Sequence, residues 1–228
     1  MTMSQVLQAR PVSVQVKHRG AFVPPLYNLV KAEVSIAMAT ELAQTYNLKS
    51  TGIIVNRNAT STQYLSFRYF LPGEPFRYLD VSIGMDQTEI TFFNPATVDE
   101  LMAQVRQVWN ILFKDLQPII SSNYLEANLH CETDGVSTKA FLNELVNVHS
   151  DKPGMHKGFS LTSKGVDTLS RIGVDVSDSV ADGLYVVFAY VGTGSVRDMA
   201  SLGKLFNAIL VAYRGLQSLA HIELIEPT

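Results

Sequence analysis

The chain has 228 residues, a formal net charge of −3 and a pI near 5.9, a balance that argues against electrostatic binding of nucleic acid, which needs a basic face to displace counterions. Hydrophobic residues make up 46% and charged residues 17%, so a sizeable core can form and no signature of disorder is present. One cysteine, Cys131, excludes an intramolecular disulfide and fits a reducing compartment.

Met1–Arg10 reads as a flexible tail. It lacks a basic segment followed by an apolar core, so no signal peptide is expected. No apolar run reaches the roughly 18 residues of a membrane span, and a cytoplasmic protein is the default. Val12, Val14 and Val16 alternate with Ser13, Gln15 and Lys17 as a first strand, which Gly20 and Pro24-Pro25 are expected to end. Leu26–Tyr46 reads as helix from its length and alanine content, although Val34, Ile36 and Met38 alternate as in a strand. Thr51–Asn56 and Gln63–Leu71 read as strands around a polar turn, Arg57–Thr62.

The best-defined stretch follows. Leu79, Val81, Ile83 and Met85 alternate with Asp80, Ser82, Gly84 and Asp86, the period of a half-buried strand. Asp86-Gln87-Thr88 is the expected turn, and Glu89–Phe93 the returning strand. Thr97 and Glu100 form a capping box for a helix whose apolar stripe runs through Leu101, Met102, Val105, Val108, Trp109, Leu112, Phe113 and Leu116.

After Pro118 the plan restarts. Tyr124–Cys131 alternates as a strand, Asp134-Gly135 turns the chain, and Ser137–Val148 reads as a short helix. Asn147–Lys157 is a polar loop and Gly158–Ser163 a strand. Leu169–Val176 and Leu184–Val191 form a closing hairpin. Ser195 is expected to cap a helix in which Met199, Leu202, Leu205, Phe206, Ile209, Leu210 and Tyr213 reproduce the order and spacing of the earlier stripe. His221–Ile225 is left between a last strand and a helix end.

The expected fold class is therefore α+β, with internally duplicated β-α-β(3-4)-α units at residues 11–120 and 121–228 packed as one pseudo-symmetric domain. An antiparallel sheet would be backed by helices. This duplicated plan resembles the topology of the TATA-box-binding-protein-like (TBP-like) and helix-grip folds. The resemblance implies a curved antiparallel sheet with helices on one face and carries no functional residue with it.

Candidate chemistry is sparse. His149, Asp151 and His156 share one loop and have metal-ligand character, but no fourth ligand is evident, and Lys152 and Lys157 oppose a cation. Gly192-Thr193-Gly194-Ser195 precedes a helix without the spacing of a nucleotide loop, so a capping turn accounts for it. Cys131 sits on an apolar strand face and His130 on the opposite one, which separates thiol from base. No cofactor is expected.

Arg68, Tyr69, Arg77, Tyr78 and Asp80 are expected on the less apolar sheet face, with Ser82 and Asp86. Arginine and aromatic residues there suit a binding surface. The leading expectation is a non-enzymatic module that contacts a protein partner or a second copy of itself. The alternative is a binder of a small apolar ligand, or an enzyme, with a cavity between sheet and helices, where Asp175 or Tyr213 would orient the ligand.

Overall fold

The computed structural model describes residues 6–49, 52–56, 64–74, 76–135, 137–146 and 158–225. The first half runs β1 (Leu7–Phe22), α1 (Ala32–Thr45), β2 (Ile53–Val55), β3 (Leu65–Phe70), β4 (Tyr78–Ile83), β5 (Gln87–Phe93) and α2 (Val98–Leu116). The second runs β6 (Ile120–Thr133), α3 (Thr138–Val146), β7 (Phe159–Lys164), β8 (Thr168–Val176), β9 (Leu184–Gly192), α4 (Met199–Leu219) and β10 (Ile222–Leu224). Among the described residues the ten strands form one sheet in the order β2-β3-β4-β5-β1-β6-β9-β8-β7. It is antiparallel except where β10 runs parallel to β1, pairing Leu7 with Ile222 and Ala9 with Leu224. No helix among the described residues is long and apolar enough to cross a membrane.

The chain divides into two compact units. One comprises Val16–Leu125 and Val191–Asn207. Here the alternation of the β4–β5 hairpin becomes an apolar face of Leu79, Val81, Ile83, Ile90 and Phe92, all buried. The turn falls two residues earlier than expected, because Ile83 pairs with Thr88 and the Gly84 N–H donates to the Gln87 carbonyl at 2.8 Å. Thr97 caps α2 as its spacing predicts, accepting from the Glu100 N–H at 3.1 Å. The Glu100 carboxylate reaches back to the Ala96 N–H at 2.7 Å. The helix buries Met102, Val105, Val108, Trp109, Ile111 and Leu112.

Gly20 lies inside β1 rather than ending it, since a Cβ there would meet Trp109 at 2.7 Å. The indole occupies the space that glycine leaves. The proposed helix over Leu26–Tyr46 splits into a 3-10 turn at Tyr27–Val30 and α1. In α1 Met38 and Leu42 are buried while Ile36 is exposed, a helical period that settles the conflict with strand alternation.

The other unit comprises Met1–Gln15, Glu126–Tyr190 and Ala208–Thr228. Its strands bury Leu129, Cys131, Ile172, Val174, Leu184, Val186 and Phe188, with Phe141, Leu142 and Ile209 from the helices. Of the segment expected to be a flexible tail, Leu7–Arg10 belong to β1, and residues 1–5 lie outside the described residues. Leu7 and Ala9 are buried and tied to the chain's end through the Leu7 N–H to His221 carbonyl bond at 3.0 Å. No local pattern announces such a pairing between distant segments. Within His221–Ile225, the same pairing makes Ile222–Leu224 a strand.

Candidate functional site

Strand register sorts the five predicted binding residues onto two faces. Cross-strand pairs place Arg68 beside Asp80, Phe70 beside Tyr78, Ser66 beside Ser82, and Tyr78 beside Phe93. These residues share the face opposite the buried Leu79 and Val81. Arg68 forks onto Asp80, Nε to Oδ1 at 2.6 Å and Nη2 to Oδ2 at 2.7 Å. The Asp80 hydrogen bonds, then its charge, raise the pKa of the guanidinium. The guanidinium also lies 4.5 Å from the Tyr78 ring centroid, and Tyr78 stacks on Phe93 with centroids 4.2 Å apart. Phe70 is 52% exposed and tilts against Tyr78. Farther along this face Arg19 pairs with Glu89 at 2.7 Å, Lys17 approaches the same carboxylate at 3.6 Å, and Arg19 sits over Tyr124.

Tyr69 and Arg77 point the other way. Tyr69 pairs with Leu79 and packs against Tyr46, the residue that ends α1, at 5.1 Å. Arg77 donates to the Asn94 carbonyl at 3.0 Å and forks onto Glu100 in the first turn of α2. The expectation that both lie on the polar face is therefore corrected. Adjacent strand residues alternate, so Tyr69 cannot share a face with Arg68, nor Arg77 with Tyr78. Asp86 lies in the hairpin turn, exposed.

His149, Asp151 and His156 lie outside the described residues, as does the turn expected at Arg57–Thr62. Among the described residues no group of three His, Cys, Asp or Glu is placed to hold a metal ion. Cys131 is buried, and burial pushes its thiol up to about 12, so it stays a thiol at neutral pH. At the Gly192–Ser195 turn the helix cap is Asp198 rather than Ser195. Its Oδ1 accepts from the Ser201 N–H at 2.7 Å, and that bond lowers the pKa of the carboxyl.

Sequence reasoning passed over His18 and Asn123, both 1% exposed. His18 Nδ1 accepts from the Trp109 indole N–H at 3.2 Å, and Nε2 lies 3.3 Å from Asn123 Oδ1. An indole only donates, so Nε2 carries the proton and the imidazole is neutral. Burial lowers its pKa to about 4, against a smaller opposing effect of Asn123. The signal was parity: His18 falls between Val16 and Gly20 on the buried side of β1. Phe206 lies 5.0 Å from His18, and Trp109 is wholly buried.

In the other unit His130 Nδ1 lies 2.9 Å from Ser177 Oγ and 3.7 Å from Asp178 Oδ1. The trio has the composition of a hydrolytic triad without its wiring. Ser177 Oγ already accepts the Ser179 and Val180 N–H groups at 3.2 and 3.0 Å. Its lone pairs are engaged in a turn, and Asp178 approaches the same ring nitrogen as the hydroxyl instead of the opposite one. Nearby, the Tyr185 hydroxyl donates to Asn128 Oδ1 at 2.6 Å, and Asn128 donates to Glu126 at 2.8 Å. A cleft of about 570 Å³ in this unit is lined by Glu132, Asp134, Ser137 and Asp182 among others. Asp175 bonds the Val176 N–H at 2.7 Å, and Tyr213 packs edge-on against Phe188 at 5.0 Å.

Comparison with protein-family models, curated proteins and solved structures yields no match.

Proposed function

We propose that this protein is a non-enzymatic binding module that engages a protein partner through the sheet face bearing Arg68, Phe70, Tyr78, Asp80 and Phe93. The observation that carries this reading is the exposed cluster itself. Phe70 and the Arg68 side chain are each 52% exposed, and both pack against a tyrosine that is itself stacked on Phe93. Flat aromatic surface held in place by a paired arginine is the composition of an interface hot spot, because little side-chain entropy remains to be lost on binding. Around this cluster cationic and anionic side chains alternate, Arg68 with Asp80, and Lys17 and Arg19 with Glu89. Apolar rings flanked by paired charges suit a partner segment that combines apolar and polar residues.

The duplicated, TBP-like plan belongs to the same proposal. In the strand order β5, β4, β3 and β2 follow β1 on one side, and β9, β8 and β7 follow β6 on the other, an order that supports an internal duplication.

The test is a photo-crosslinking residue placed at Tyr78 and, as control, at the exposed helical Val211, in protein expressed in its own host. The expected result is a discrete partner adduct at Tyr78 that disappears with Arg68→Ala, and none at Val211. Equal adducts at both positions, or none at either, would refute the reading.

A further inference from the structure

A strand at the edge of a sheet offers unpaired N–H and C=O groups, and proteins usually blunt such edges with proline, bulges or charge. The outer strand β7 carries none of these along most of its length. Its sequence is Phe-Ser-Leu-Thr-Ser-Lys, it pairs with β8 over six residues in unbroken register, and its one charge is Lys164 at the end.

The register says which groups face outward. The Gly165 N–H donates to the Thr168 carbonyl at 2.8 Å, so these two form a hydrogen-bonded pair, and such pairs recur at every second residue of an antiparallel ladder. Ser163, Leu161 and Phe159 therefore bond inward to Ser170, Ile172 and Val174. The main-chain groups of Ser160, Thr162 and Lys164 point away from β8 and meet no hydrogen-bond partner among the described residues. The opposite edge, β2, has three residues, of which only Ile53 and Val55 face outward, by the same reasoning from the Asn56 N–H to Tyr64 carbonyl bond.

We propose that β7 is a self-pairing edge, at which two copies of this chain join β7 to β7 antiparallel about a two-fold axis through Thr162. The occupant follows from self-complementarity. With the axis at Thr162, Thr162 faces its own copy and Ser160 faces Lys164 of the other chain. Every facing pair then consists of outward-directed residues, and each pair exchanges two backbone bonds. No like charges face each other, because Lys164 meets a serine. The half-buried Leu161 side chains of the two copies become diagonal neighbours on one face. A junction of this length falls in the small class of interfaces, so association is weak and reversible.

Cysteine trapping in the full chain tests the register. Across a hydrogen-bonded pair the Cα atoms stand about 5.5 Å apart, within reach of a disulfide. Thr162→Cys should give a disulfide-linked dimer at least tenfold faster than Ser160→Cys, whose two copies would stand roughly 13 Å apart along the strands. It should also outpace Val166→Cys at the 99% exposed hairpin tip. The native Cys131 is buried and does not compete. In parallel, sedimentation of the unmodified chain at high concentration should show a reversible dimer. Thr162→Pro should abolish it while leaving the thermal midpoint within a few degrees, since only an outward N–H is lost. Equal trapping rates at the three positions, fastest trapping at Ser160, or a dimer that survives Thr162→Pro would each overturn the proposal. A strictly monomeric chain at that concentration would do so too. None of these outcomes bears on the Arg68 face, so the two proposals fail separately.

Discussion

The two faces of the β3–β4–β5 strands use the same residue types for opposite purposes. On the helix-covered side, Tyr69 packs on Tyr46 and Arg77 ties β4 to the first turn of α2 through Glu100. On the uncovered side, one residue away in each case, Arg68 and Tyr78 spend their contacts on each other and on Asp80 and Phe93. An arginine or tyrosine in a strand is therefore uninformative until its parity is known. Those facing helices hold the fold, and those facing away hold a surface in shape.

The comparison breaks most visibly at Trp109. It is fully buried, fits over Gly20 and donates to His18. Trp109→Ala should cost about 3–5 kcal/mol, read as a fall in the urea midpoint. Gly20→Ala should be destabilising in the same assay, because the new methyl has nowhere to go.

The next effect is acid sensitivity. Burial lowers the folded-state pKa of His18 to about 4 from an ordinary 6.5, so the unfolded chain takes up this proton first as pH falls. The contribution is fully present above about pH 6.5 and is lost progressively down to about pH 4, where the loss amounts to roughly 3 kcal/mol. Protonation would also put a second donor against the Trp109 N–H. Denaturation at a series of pH values checks this, and the His18→Gln variant should lose that part of the slope. An unchanged profile in the variant would assign the slope to other groups.

Smaller still is Arg77. Its pair with Glu100 is partly buried, side chains 21% and 24% exposed, and Glu100 also holds the Ala96 N–H. Arg77→Ala should cost about 1–2 kcal/mol, with Glu100→Gln close behind, both measured by thermal melting.

How much of this was legible in the sequence depended on whether the signal was local. The β4–β5 alternation and the Thr97–Glu100 box predicted a hairpin and a cap that both form, the hairpin with its turn two residues earlier, because pleat and first-turn hydrogen bonds involve neighbours in sequence. The pairing of Leu7–Ala9 with Ile222–Leu224 has no local trace, and the polar Gln8 and Arg10 made that end look loose. Gly20 read as a breaker because the indole that requires it comes from Trp109. The capping role went to Asp198 instead of Ser195 because Val196 bridges to Ile120 and holds the intervening residues extended. Among the candidate site residues, strand parity alone would have separated Tyr69 and Arg77 from Arg68, Tyr78 and Asp80, and the alternation needed to do so was already in the sequence.

The most direct test of the account sets Tyr69→Ala beside Tyr78→Ala, scoring each for thermal stability and for the partner adduct formed by a photo-crosslinking residue at Phe93. Tyr69→Ala should lose about 2 kcal/mol of stability and, when folded, keep the adduct. Tyr78→Ala should lose about 1 kcal/mol or less and abolish it. The reverse pattern, or an adduct indifferent to both, would contradict the division of labour between the two faces.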